Sequence, residues 1–179
     1  MWELKEPQPV KLIVGILACD DRCLQAARDC VEGNLGPVDL ESDVWPFEQT
    51  EYYKKETGPQ ILRQFLTLDK PINPSELAAV KLATNDLEKQ LAQQLDTAFP
   101  RPANLDPGYI GLSKLVLATT KNYSHRIYIG QNIYAEVTLR YSAGWHPFDY
   151  TYPDYQLTCY HDFFTKVRQK LVEQSRQNP

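Results

Sequence analysis

Charged side chains on stretches that otherwise read as strands and tight turns are where this chain could do chemistry. Between positions 101 and 154 stand Arg101, Asp106, Lys114, Lys121, His125, Arg126, Glu136 and Asp154, interleaved with Tyr128 and Tyr134. Guanidinium and ammonium groups hold phosphate or carboxylate, so Arg101, Lys114, Lys121 and Arg126 are candidate contacts for a small anion. Asp154 is a further candidate contact, and Tyr128 and Tyr134 offer rings to a planar moiety. Asp106 and Glu136 are candidate acid–base carboxylates, with His125 as the third catalytic candidate. A metal ion held by Asp106, Glu136, Asp154 and His125 is a minority variant of this reading, and the sequence specifies no cofactor.

Each candidate has a structural alternative. Asp106-Pro107-Gly108-Tyr109 has the composition of a turn, since proline presets φ and glycine permits positive φ. His125 falls on an apolar face and reads as a packed core histidine. Lys81, Asn85 and Glu88 fall at i, i+4 and i+7 and read as a solvated helix face. The strand charges themselves would be ordinary on the outer side of a sheet, because charges inside apolar strands are costly unless paired or wet.

The elements that position these residues follow from pattern. VKLIVGILAC, from Val10 to Cys19, is an unbroken apolar run that suits a strand buried on both faces. Asp20 or Asp21 then caps a helix carrying Leu24, Ala27, Val31 and Leu35, ended by Gly33, Gly36 and Pro37. Asp43 to Phe47 and Ile61 to Leu68 read as strands. Asn73, Pro74 and Glu76 signal a capped helix with Leu77, Val80, Thr84, Leu87, Leu91 and Leu95 as its buried stripe. Phe99-Pro100-Arg101-Pro102 reads as a stiff loop, and Leu112 to Lys121 as a strand. His125 to Tyr141 reads as a hairpin with a three-residue turn, Gly130-Gln131-Asn132. That register sets Ile127 opposite Ala135, Tyr128 opposite Tyr134 and Arg126 opposite Glu136. Trp145 to Tyr155 reads as a loop, and Leu157 to Gln174 as a helix. The expected fold class is α+β: a ferredoxin-like two-layer sandwich, a largely antiparallel sheet with helices on one face, plus a β-hairpin and a C-terminal helix.

Composition excludes several classes. The chain has 179 residues, 42% hydrophobic and 23% charged, which fits one globular domain over 1–179 with its core at about 10–174. Nineteen basic against 23 acidic residues argue against a broad nucleic-acid footprint. No apolar run approaches membrane-span length, and the N-terminus lacks a secretory apolar region, so a cytoplasmic protein without membrane contact is expected. Cys19, Cys23, Cys30 and Cys159 are then reduced thiols, and their spacing is not that of a zinc knuckle. The first strand–helix junction carries one glycine, so a dinucleotide fingerprint is absent, as is any phosphate loop of the G-x4-G-K-[ST] type.

Taken jointly, KLIVGILA (11–18), Thr50-x-Tyr52-Tyr53-x-x-Glu56-x-Gly58, KLATN (81–85), RPANLDPGYI (101–110), KLVLATTKNYSHRIYIGQNIYAEVTL (114–139) and TYPDY (151–155) are specific. With these motifs the chain resembles, from about Lys11 to Lys170, a bacterial family of uncharacterised proteins catalogued as a domain of unknown function. The family pattern favours methionine where Thr57 stands. Members sometimes carry a "GTP-binding protein" label, which the missing phosphate loop does not support. The resemblance assigns no chemistry. The residues themselves favour a domain that binds, and as an enzyme would act on, a small anionic molecule. The alternatives are a protein-interaction module using Trp145, Phe148, Tyr150, Tyr152 and Tyr155, and nucleic-acid binding on the sheet face.

Overall fold

The computed structural model describes residues 2–48 and 54–177; Thr50, Tyr52 and Tyr53 of the motif above lie outside them. The chain runs β1 (Lys11–Ala18), α1 (Asp21–Leu35), β2 (Val38–Glu41), β3 (Trp45–Phe47), a one-turn α2 (Lys54–Thr57), β4 (Ile61–Leu68) and α3 (Leu77–Gln94). It continues through β5 (Ala103–Ile110), β6 (Lys114–Thr119), β7 (Ile127–Gly130), β8 (Ile133–Tyr141), β9 (Trp145–Pro147) and α4 (Thr158–Gln177). Among the described residues nine strands form one sheet in the order β2-β4-β1-β5-β6-β8-β7, with β3 beside β4 and β9 beside β8. Every pairing is antiparallel, which makes this an α+β protein. No helix among the described residues is long and apolar enough to cross a membrane.

Caps behave as the sequence demands. Asp20 accepts from the backbone N–H of Cys23 at 2.7 Å and starts α1. Asn73 and Glu76 form a capping box ahead of a 3-10 turn that runs into α3.

Alternation along β1 divides the core. Leu12, Val14, Ile16 and Ala18 pack under α1 and α3, against Leu24, Ala27, Val31, Leu87 and Leu91. Ile13 points the other way and joins Phe65, Ile110, Leu115 and Leu139 under Tyr160, Phe164 and Val167 of α4. The expectation of helices on one face is therefore corrected: α1 and α3 cover one face and α4 the other. The reason is β1 itself, apolar on both sides, which needs two covers. Lys11 is fully buried at the edge of α4. It donates to Asp39 at 2.6 Å, to the Asp69 carbonyl at 2.9 Å and to Gln174 Oε1 at 3.1 Å, tying the end of α4 to the sheet.

The largest departure from expectation is β5. Asp106-Pro107-Gly108-Tyr109 is not a turn but lies mid-strand, paired with β1 as Gly15↔Asp106, Val14↔Pro107 and Ile13↔Gly108. Proline is tolerated there because of what lies on the strand's other side. β5 and β6 pair over Gly108↔Leu117, Tyr109↔Val116 and Ile110↔Leu115, then separate. Alternation aims the amide position of Pro107 at this separating side, where no ladder donor is required. A residue without an N–H cannot extend the ladder, so the sheet forks at Pro107. Gly108 closes the crotch of the fork: a Cβ there would meet the Val116 carbonyl oxygen at 2.3 Å.

The hairpin also differs in detail. Gln131 and Asn132, both with positive φ, make a two-residue turn closed by Gly130↔Ile133. A bulge between Tyr128 and Gly130 then absorbs one residue and restores Tyr128↔Tyr134 and Ile127↔Ala135. Cross-strand pairing thus sets the register as expected, by a turn of a different length.

Candidate functional site

The fork opens into a cavity of about 630 Å³ lined by Arg63 of β4, Asp106 of β5 and Lys81 and Asn85 of α3. Its lining brings together Arg101, Asp106, Lys121, His125, Arg126, Glu136 and Asp154 of the expected site. Lys114 is not there. It begins β6 on the face shared by Val116, opposite Arg140, and is solvent-exposed. Tyr128 and Tyr134 pack edge-to-face on each other further out along the hairpin, at 5.5 Å between ring centres, and do not line the cavity.

The floor belongs to β4 and β5. Arg63, only 3% exposed, shares its side of β4 with Ile61 and Phe65. It donates through one terminal nitrogen to Asp154 at 2.9 Å, while the other stands 3.9 Å from Asp106. The rings of Phe47, Phe65 and Tyr155 surround its guanidinium at 5.1, 5.3 and 5.7 Å from their centres. Its Nε and NH1 have no hydrogen-bond partner, and neither does the buried Tyr155 hydroxyl beside it. Burial works against the guanidinium charge, but Asp154 and its neighbours more than offset it and hold the group further into its charged form.

Where β6 leaves β5, α3 takes over. Glu88 accepts the Leu105 backbone N–H at 2.7 Å, and Lys81 donates to the Leu105 carbonyl at 3.0 Å, so two side chains replace the missing strand. Lys81 and Glu88 are accordingly buried, not on a solvated face. The fork, invisible in a helical periodicity, is the cause. Lys81 also reaches within 3.8 Å of Asp106, which Asn104 holds by donating at 2.6 Å. Arg101 clamps Glu88 through Nε at 3.0 Å and a terminal nitrogen at 2.6 Å, and its backbone N–H meets the Glu56 carbonyl. That contact anchors the described end of the Thr50–Gly58 motif. Gly58 follows with φ of +105°, and a Cβ there would strike Phe99 at 2.7 Å.

The far wall is built by the segment before β7 and by the loop after β9. Arg126 donates to Glu136 at 2.7 Å, to the Lys121 carbonyl at 3.1 Å and to the Tyr152 hydroxyl at 3.0 Å. His125 is not on the apolar face. The chain turns between Tyr123 and Arg126, just before β7, and this sets His125 Nε2 3.2 Å from Glu136. Trp145 and Tyr155 are core residues, and Tyr155 also lines the cavity together with Tyr150 and Tyr152. Five cationic side chains, from Arg63, Lys81, Arg101, Lys121 and Arg126, thus meet three carboxylates, from Asp106, Glu136 and Asp154.

Among the described residues, the one group of Cys, His, Asp and Glu atoms close enough to share a metal ion is Cys19, Asp20 and Cys23, not the cavity carboxylates. The Sγ atoms of Cys19 and Cys23 lie 3.2 Å apart, and burial pushes the Cys23 thiol up, away from the thiolate a metal needs. Cys19, Cys23, Cys30 and Cys159 are all free thiols.

Two carboxyls carry a pH signature. Burial lifts Glu88 above its ordinary value despite Arg101 and Lys81, and lifts Asp154 despite Arg63. A carboxyl raised on folding is ionised in the unfolded chain before it ionises in the native one. Its contribution to stability therefore falls as pH rises from about 4.5 through the native value. The wild type should lose more stability than Glu88→Gln between pH 5 and pH 7, measured by urea unfolding. Parallel pH profiles for the two would contradict the assignment.

Sequence reasoning missed Arg63, Lys81, Asn85 and Asn104. Arg63 did carry a signal, a cation on the same side of a buried strand as Ile61 and Phe65. No curated protein and no solved structure matches the chain. A family model described as "Domain of unknown function (DUF4416)" matches residues 8–171, and the chain belongs to that family.

Proposed function

We propose that the forked-sheet cavity binds a small molecule carrying a phosphate or carboxylate group. The observation that carries this reading is Arg63. A buried guanidinium with unpartnered Nε and NH1 loses the full desolvation of those N–H groups unless something satisfies them. An anion on the cavity floor supplies the acceptors, with Lys81 at hand as a second cation. As an enzyme, the domain would use Asp106 or the His125–Glu136 pair for proton transfer, since all three groups border the cavity. We further read the first half as a ferredoxin-like unit, supported by the strand order β2-β4-β1-β5 with α1 and α3 on one face. A reducing, cytoplasmic setting suits its four free thiols.

Asp106 supplies the test. Its carboxylate stands 3.9 Å from Arg63 and 3.8 Å from Lys81, where it competes with an incoming anion. Asp106→Asn keeps an acceptor for Asn104 and removes the charge. Inorganic phosphate should raise the melting midpoint of the wild type saturably. It should bind Asp106→Asn roughly tenfold tighter, a gain of about 1.4 kcal/mol. Phosphate that stabilises neither protein would overturn the reading.

A further inference from the structure

The cavity's far wall is a row of near-parallel rings. Phe148 and Tyr150 stack at 5.2 Å and 3°, and Tyr150 and His125 at 4.3 Å and 10°. The next step, His125 to Tyr123, keeps the 10° angle but widens to 6.2 Å. The inner rings are pinned. Tyr150 donates to the Val137 carbonyl at 3.0 Å, and His125 meets Glu136. Tyr123 lines the cavity and is 59% exposed, with Arg126 over its ring. The guanidinium of Arg126, held by Glu136, lies 4.8 Å from its centre.

A stack of this kind would ordinarily close on itself, because flat rings gain dispersion contact at about 3.5–4.0 Å. Two flanking rings hold a third at that distance from each. The Tyr123–His125 step is the widest of the three between ring centres, and its outer ring, Tyr123, is the exposed one, so this is the step that can part to admit a third ring. Extending the anion reading above, on which this rests, we propose that the ligand is an anion borne on a flat unsaturated ring. Its anionic group sits on the floor at Arg63, and its ring is clamped between Tyr123 and His125. Ring recognition of this sort tolerates many substituents, because every flat unsaturated ring offers a π face. Selection thus falls on flatness and charge, not on one hydrogen-bonding pattern.

The experiment compares inorganic phosphate, cyclohexyl phosphate and phenyl phosphate by calorimetric titration of the full chain. The two esters share charge and approximate size, and only one is flat. The proposal expects phenyl phosphate to bind at least tenfold tighter than cyclohexyl phosphate. Tyr123→Leu should erase that preference and leave inorganic phosphate unchanged, while Tyr123→Phe should retain it. Equal affinity for the two esters, or a preference that survives Tyr123→Leu, overturns the ring clamp while leaving the anion site standing. No binding of any of the three overturns both.

Discussion

Replacing Arg63 by Met should destabilise the protein by about 4 kcal/mol, the cost expected when one partner of a buried ion pair is removed. The loss comes from what is left behind. Asp154 is 4% exposed and receives its charge-assisted hydrogen bond from Arg63, so without it a buried carboxylate has no counter-ion. The rings of Phe47, Phe65 and Tyr155 lose their cation as well. The double variant Arg63→Met/Asp154→Leu should recover more than half of the loss, since an apolar pair of similar volume is often no worse than the ion pair it replaces. Urea unfolding of the three proteins checks this. A cost below about 1 kcal/mol for the single variant would mean that the pair behaves like an exposed one.

The second large effect is expected on the opposite wall. Glu136 is 3% exposed, and its Oε2 serves both Arg126 and His125. Glu136→Leu removes the counter-charge of a guanidinium that is itself 9% exposed, at a cost of about 3 kcal/mol. Arg126 keeps the Lys121 carbonyl and the Tyr152 hydroxyl, which limits the damage below that at Arg63. The variant also unpins His125, so histidine ring resonances should broaden or shift in NMR spectra. An unchanged His125 signal would show that stacking on Tyr150, not Glu136, fixes the ring.

What could be read from residues alone divides along physical lines. β1, α1, β4 and α3 were legible because local signals and periodicity agreed: an apolar run, a side-chain cap, alternation and a capping box. The Arg126–Glu136 pairing was legible because cross-strand chemistry admits one consistent register. β5 was not, since Asp-Pro-Gly carries every local mark of a turn. What makes it a strand is its long-range partner β1 on one side and the absence of a full partner on the other. The same long-range event hid Lys81 and Glu88, whose burial depends on the fork and not on their helix. Lys114 was misplaced for a simpler reason: it belongs to the right strand but to its far end, because the cavity is lined from Leu117 onward while Lys114 lies opposite Arg140.

The proposed anion site rests on Arg63, whose Nε–H and NH1 groups lack hydrogen-bond partners at the floor of the fork. Its most direct test is the Arg63 Nε–H resonance in a two-dimensional nitrogen–proton spectrum during titration with inorganic phosphate, assigned by its loss in Arg63→Lys. A saturable shift of that resonance is expected, larger in Asp106→Asn, while exposed Arg140 and Arg176 change little. An Arg63 signal that stays fixed while surface arginines drift without saturation would contradict it.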